Sequence, residues 1–444
     1  MSEHGKKSIA LVSLGCAKNL VDSEVMLGVL GRAGHRAGAA PEDADVLIIN
    51  TCGFIRPARD ESEKEIRRAL GLKRRNPRLK VVVAGCYVER SPAELAGRFA
   101  GVDAWLGVRS FDRIDRVVEG RAVRPGPRTF LCSHNSPRLL STPSGWAYVK
   151  ISEGCSHRCT FCAIPGIKGP YRSRLPSSIV REARRLSDSG VREINLISQD
   201  SSFYGRDLGL KHGLAGLLDA LSALPGPEWI RVLYLYPGEV GRELLEAMKA
   251  PKVCAYFDLP FQHASPNIVK AMGRGLDGER ALRLLDRIRD AIPEAAIRTS
   301  LIVGFPGERR REFEILKSFV LRARFDHLGV FTYSPEKGTP AFSLGDTVSE
   351  AEKISRRGEI MALQQAISLE KNRRRVGRRM ETLLESAAAN ATRTLIGRGR
   401  FQAPEADGII RVAAPPDATR VLHRVRQVEI THAGVYDLRG RLRE

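Results

Sequence analysis

The chain has 444 residues, 43% of them apolar and 28% charged, and carries a formal net charge of +21. This length predicts two or three domains, and no apolar run reaches the roughly 20 residues that a membrane helix needs. The opening Met-Ser-Glu-His-Gly-Lys-Lys lacks the apolar core of a secretion signal, so a cytoplasmic protein with no membrane partner is expected. A chain this basic is drawn to polyanions, and RNA or an RNA-coated ribosomal surface is the natural candidate; an Arg-rich background composition would give the same charge. Eight cysteines in a reducing compartment point to metal ligands or catalytic groups rather than to disulfides.

In chain order, strand and helix patterns alternate. Residues 8–13 read as a strand, 22–32 as a helix, 45–50 as a strand, and 57–74 as a charged helix with proline at its start. A third strand is expected over 80–85 and a helix over about 91–99. Short apolar strands alternating with helices predict a parallel α/β sheet. Residues 121–145 are rich in Pro, Arg and Ser without a period and read as a linker. A second alternation follows, with strands expected at 147–152, 193–198, 230–234, 255–259, 297–303 and 328–333. Helices are expected at 177–189, 241–249, 277–291 and 309–322. Six such repeats predict an open or partial (β/α) barrel. A long basic helix, about 351–375, ends it. Beyond residue 376, short β-rich runs broken by Gly and Pro predict a small all-β barrel.

The strongest chemical signal is Gly154-Cys155-Ser156-His157-Arg158-Cys159-Thr160-Phe161-Cys162. Three thiolates at C-x3-C-x2-C spacing can hold three irons of a four-iron cluster and leave the fourth iron open. An open iron can chelate S-adenosylmethionine, and one electron then cleaves the sulfonium to a carbon radical. The competing reading is a zinc site made of these cysteines and His157, but zinc sites usually pair two C-x2-C units. Cys16, Cys52 and Cys86 each follow a predicted strand, in Leu-Gly-Cys, Asn-Thr-Cys-Gly and Ala-Gly-Cys. Ligands of open α/β sheets bind at that edge, so these three predict a second cluster site; each could instead be a small buried hydrophobe.

The stretch Glu153 to Arg174 resembles the radical S-adenosylmethionine methylthiotransferases, and Phe161 before the third cysteine is typical of radical S-adenosylmethionine enzymes. The Cys16, Cys52 and Cys86 arrangement is similar to the N-terminal domain of that family, and the C-terminal runs are similar to its TRAM module. The resemblance implies four regions: an auxiliary-cluster domain (6–120), a linker (121–145), a radical core (146–375) and a TRAM-like barrel (376–444). It also implies two 4Fe-4S clusters, with S-adenosylmethionine as both methyl donor and radical source. The auxiliary cluster would carry the transferred sulfur or methylthio group. Ser13-Leu14-Gly15-Cys16-Ala17-Lys18-Asn19-Leu20-Val21-Asp22-Ser23-Glu24 and Tyr234-Leu235-Tyr236-Pro237 resemble the branch that acts on a ribosomal protein. The implied reaction is methylthiolation of the β-carbon of an aspartate of small-subunit ribosomal protein twelve, free or in the ribosomal particle, with an external electron donor. A tRNA methylthiotransferase acting on a modified adenosine, and a non-enzymatic metal-bearing RNA-binding protein, are the alternatives.

Other residues carry weaker signals. Gln199 and Asp200 end the second core strand, where they are expected to contact ribose or methionine. Gly304 and Gly307, in Val-Gly-Phe-Pro-Gly-Glu, are expected at the adenosyl pocket or in a plain turn. Gln262 and His263 follow the fourth core strand, and His263 reads more readily as structural than as a proton carrier. Arg172 and Arg174 could bind carboxylates or form a solvated face. Cys132 and Cys254 are expected to be structural. Arg393, Arg398, Arg400, Arg411, Arg424 and Arg426 make the last barrel basic and keep an RNA contact open.

Overall fold

In the computed structural model, which describes residues 5–388, 393–413 and 418–443, the first β-rich runs lie side by side. Strands β1 (Ser8–Ser13), β2 (Arg36–Ala37), β3 (Val46–Thr51), β4 (Lys80–Gly85) and β5 (Ala104–Leu106) form one parallel sheet in the order β2-β1-β3-β4-β5. All six residues of β3 are buried, as expected of a parallel strand covered on both faces. Helices Ala17–Arg32 and Arg56–Arg75 are the longest that cover it. The first begins at Ala17, five residues before its apolar spacing predicts. Gly15, at φ +90°, turns the chain out of β1, and Cys16 takes the extended N-cap position. Apolar periodicity is blind to the polar Lys18-Asn19 turn that results. A short helix, Cys86–Arg90, follows β4 directly and was not expected.

Residues 121–145 hold no helix or strand, as their composition predicts, but are anchored at particular points. Arg138 donates to Glu24 at 2.6 and 2.8 Å and to Glu182 at 2.9 Å. Cys132 is buried beside Arg174.

The next third holds β6 (Trp146–Lys150), β7 (Ser152–Glu153), β8 (Arg172–Ser173), β9 (Glu193–Ile197), β10 (Trp229–Val232), β11 (Tyr256–Asp258), β12 (Ala296–Val303) and β13 (His327–Thr332). β7 and β8 form a small antiparallel ladder around the cysteine loop. The other six run parallel in chain order, as β6-β9-β10 and β11-β12-β13, with a single bridge from Ile230 to Val253 joining the halves. The predicted open barrel is thus present. Strand side chains alternate between faces. Ala147, Val149, Ile194, Leu196 and Ile230 pack outward against the helices. Trp146, Tyr148, Trp229 and Tyr256 pack in a second core shared with Val21 and Val25 of the first helix and with Leu383 and Phe401.

Helix Glu350–Arg373 leads into a closed barrel of β14 (Arg379–Ala387), β15 (Thr394–Gly399), β16 (Ile410–Ala413), β17 (Val425–Ala433) and β18 (Leu438–Leu442). Two of its six arginines do not make the solvated basic face that the sequence suggests. Arg398 is buried, bridging Glu193 of the core at 2.6 Å and Glu385 at 2.5 Å. Arg400 donates to the carbonyls of Pro251 and Val253 at 2.6 and 2.8 Å. These two fasten the barrel to the core, and Arg393, Arg411, Arg424 and Arg426 remain exposed. Among the described residues no helix is long and apolar enough to cross a membrane.

Candidate functional site

The loop holding Cys155, Cys159 and Cys162 leaves β7 through Gly154, at φ +81°. A Cβ there would lie 2.2 Å from the Pro170 carbonyl oxygen, so only glycine fits. The loop is pinned by backbone bonds from Cys155 N–H to Gly169 O (3.1 Å) and from Thr160 N–H to Met272 O (3.1 Å). Phe161 packs on a small core of Ile268, Met272, Phe305, Tyr333 and Ala341. Arg274 Nη1 donates toward Cys159 Sγ at 3.5 Å while its Nη2 donates to Pro260 O at 2.6 Å. Its guanidinium lies 4.1 Å from the Tyr236 ring centroid, and His157 stacks on the same ring at 4.0 Å. His157 Nε2 is 2.6 Å from Asp200 Oδ2. Among the described residues no three His, Cys, Asp or Glu side chains converge on one ion position.

Cys16, Cys52 and Cys86 follow β1, β3 and β4, which are adjacent in the sheet. A Cβ on Gly15 would lie 2.8 Å from Cys52 Cβ and 3.1 Å from its Sγ, so the missing side chain leaves room for the thiols to approach. Cys86 lies within electrostatic reach of both Cys16 and Cys52. Burial pushes the Cys52 thiol up to about 11 and those of Cys86 and Cys162 up to about 12. Thiols raised this far keep their protons at neutral pH until a bound cationic centre displaces them to solvent. The donor chemistry of both sets therefore suits iron.

A buried polar bridge joins the two sets. Helix Cys86–Arg90 packs against helix Ile164–Lys168, which follows Cys162 closely. Lys168 and Lys150 share the carboxylates of Asp22 and Glu153: Lys168 at 3.2 and 3.4 Å, Lys150 at 2.8 Å from Glu153 and in a short contact with Asp22. Burial raises the Glu153 carboxyl, but Lys150 and Lys168 outweigh it and hold the group at about 2. The Glu153 and Asp22 carboxylates outweigh burial and hold Lys168 well above the usual lysine range.

The other expected residues are placed as follows. Gln199 donates to Glu153 at 2.9 Å and leaves its buried Oε1 without a partner. Asp200 accepts from Ser202 N–H at 2.9 Å besides meeting His157. Gly304 and Gly307 both have positive φ, +77° and +87°. Their N–H groups are taken, however, by Glu308 (2.5 Å) and by Thr347 (3.3 Å), so the loop is a braced turn. Arg174 binds a carboxylate of the chain itself, Glu182 at 2.6 Å, and Arg172 donates to the Thr129 carbonyl. Cys132 and Cys254 are buried, as expected of structural cysteines. Arg274 carried no sequence signal, and Tyr236, Asp22 and Lys168 stood in family-like stretches without a role of their own. Their role comes from contacts between distant segments.

His263 is buried and accepts the Ser265 N–H at Nδ1 (3.0 Å). Burial, aided by Arg356, lowers it to about 3. It is therefore neutral at pH 7, and its 3.7 Å approach to Glu308 is no ion pair there. Unfolded, it would titrate near 6.5, so between about 6.5 and 3 the unfolded chain binds the extra proton. Its share of stability is intact above about 6.5 and is lost as pH falls toward 3. His263→Gln is expected to remove about 2 kcal/mol of the stability lost between pH 7 and pH 5. Urea midpoints at the two pH values read this, and equal losses in both proteins would refute it.

Three family patterns match the chain: Uncharacterized protein family UPF0004 over residues 8–107, the Radical SAM superfamily over 149–320, and the TRAM domain over 376–442. The chain is similar to the ribosomal protein uS12 methylthiotransferase RimO of Solibacter usitatus, with 43% identity over 98% of this chain and 94% of that one. It is similar to the enzyme of the same name from Aquifex aeolicus, 43% identical over 98% of this chain and 96% of that one. The Clostridioides difficile protein of that name is 42% identical over 97% and 98%. Among solved structures, the fold resembles the radical S-adenosylmethionine methyltransferase TsrM of Kitasatospora setae. That match has a TM-score of 0.55 and 15% identity, and covers 87% of this chain and 81% of that one.

Proposed function

The chain belongs to the ribosomal protein uS12 methylthiotransferases, a radical S-adenosylmethionine family, and we propose that it adds a methylthio group to the β-carbon of one aspartate of ribosomal protein uS12. The observation that carries this reading is the 43% identity to such enzymes along 98% of the chain. In this reading Cys155, Cys159 and Cys162 hold one 4Fe-4S cluster and Cys16, Cys52 and Cys86 a second. The first, once bound and reduced by an external electron donor, supplies the electron that cleaves S-adenosylmethionine to the radical that removes the β-hydrogen. A second S-adenosylmethionine supplies the methyl group.

The chain's own residues prepare that chemistry. The Gly154 turn aims the three thiols out of β7. Arg274 places a cation beside Cys159. The unpartnered Oε1 of Gln199 is an acceptor for S-adenosylmethionine, with Asp200 beside it, while Gly304 and Gly307 shape the turn at its adenosyl end. The regions 6–120, 146–375 and 376–444 serve as auxiliary-cluster domain, radical core and TRAM barrel, with 121–145 as the connection. Exposed Arg393, Arg411, Arg424 and Arg426 suit contact with ribosomal RNA beside the target in the cytoplasm.

The test is to incubate the reconstituted enzyme, reductant and S-adenosylmethionine with uS12 and, separately, with tRNA. The expected result is the mass gain of one methylthio group on a single uS12 aspartate and none on tRNA. A methylthioadenosine on tRNA with unmodified uS12 would overturn the proposal.

A further inference from the structure

Lys18 stands two residues past Cys16, in the first turn of helix Ala17–Arg32. Its Nζ lies 3.3 Å from the ring centroid of Tyr234, beyond the carboxyl end of β10. The helix thus reaches from the auxiliary cysteines to the mouth of the open barrel. Asp22, one turn on along the same face, is occupied by Lys150 and Lys168. Asp258, below Tyr234, is occupied by Arg298 at 2.8 Å. Among the described residues no carboxylate comes within ion-pair distance of Lys18, which is half-buried. Lys150, Lys168 and Arg298 nearby each have one.

Tyr234 is held in place at a backbone cost. Its φ is +61°, which a bulky residue rarely adopts. Asp258 Oδ2 accepts its N–H at 2.9 Å, and Ser201 N–H donates to its carbonyl at 2.8 Å. Strain kept by surrounding bonds marks functional positions. Here it keeps an aromatic face under an ammonium. A cation on a ring face has shed part of its water, so it meets an incoming anion with little reorganisation.

We propose that Lys18, seated on Tyr234, binds the side-chain carboxylate of the substrate aspartate and so positions its β-carbon beside Cys16. This rests on the uS12 reading above. The β-carbon is bonded directly to the carboxylate carbon, so no free torsion separates the clamped group from the reacting one. The carboxylate of S-adenosylmethionine is not the natural partner, because it belongs at the open iron of the other cysteine set. Lys18 is a positioning residue and takes no proton.

The test uses the cluster-loaded full chain and two uS12 loop peptides, one with the target aspartate and one with asparagine. Binding is read by fluorescence anisotropy, and turnover on the aspartate peptide as KM and kcat. The wild type is expected to bind the aspartate peptide about tenfold or more tightly than the asparagine one. Lys18→Met should erase that preference and raise KM by the same factor while leaving S-adenosylmethionine cleavage intact. Lys18→Arg should restore most of the preference, which a merely structural defect would not allow. If the wild type methylthiolates the aspartate peptide yet Lys18→Met keeps the full preference, the Lys18 assignment is wrong and the function stands. If the wild type neither binds nor modifies the peptide, the uS12 reading falls and this assignment with it.

Discussion

Alanine at Cys155, Cys159 and Cys162 together is expected to abolish reductive cleavage of S-adenosylmethionine. Alanine at Cys16, Cys52 and Cys86 should instead leave cleavage intact and stop methylthio transfer. The division follows from position. The first set lies on one loop at the carboxyl end of β7, braced by Arg274 and by the core around Phe161. The second lies at the ends of three strands of a different sheet. Each set sits on its own loops and strand ends, so each can be emptied without dismantling the other's scaffold. Anaerobic reconstitution should give about eight irons in the parent chain and about four in each triple variant. Normal-rate sulfur transfer by the second variant would sink the donor assignment, and stoichiometric zinc in place of iron would sink both.

The sequence made the frame of this site readable, because each part of the frame is local. Six core strands fall within two residues of their expected bounds, since each is an unbroken run of β-rich apolar residues between turn signals. The cysteines were placed at strand ends by the same logic. What stayed hidden depends on pairs far apart in the chain. Arg274 sits in a Met-Gly-Arg-Gly turn that reads as loop, and only the fold brings it to Cys159. Gly304 and Gly307 announced a tight turn, but not that Glu308 and Thr347 would fill its amides. Arg398 and Arg400 counted toward a basic surface because composition cannot see Glu193 or the Pro251 carbonyl. Lys18 is a sharper case. Its motif was legible as a family mark, yet its partner, Tyr234, lies 216 positions on and is defined by a backbone angle no pattern encodes.

Replacing Asp22 by leucine is expected to cost about 3–5 kcal/mol of stability, because it strands charge rather than merely removing an attraction. Asp22, Glu153, Lys150 and Lys168 are all at most 3% exposed and balance as two carboxylates and two ammoniums. Without Asp22, two buried ammoniums share one carboxylate, and Lys168 loses its 3.2 Å partner outright. Asp22 belongs to the first helix while both lysines belong to the core, so the loss falls on the junction that brings the two cysteine sets together. Adding Lys168→Met should recover more than half of the penalty, since Lys150 and Glu153 then remain as a neutral pair 2.8 Å apart. Urea unfolding of the single and double variants reads both numbers. A single variant within about 0.5 kcal/mol of the parent would show that the bridge contributes little. A double variant no better than the single would show that the lost attraction, not the stranded charge, sets the cost.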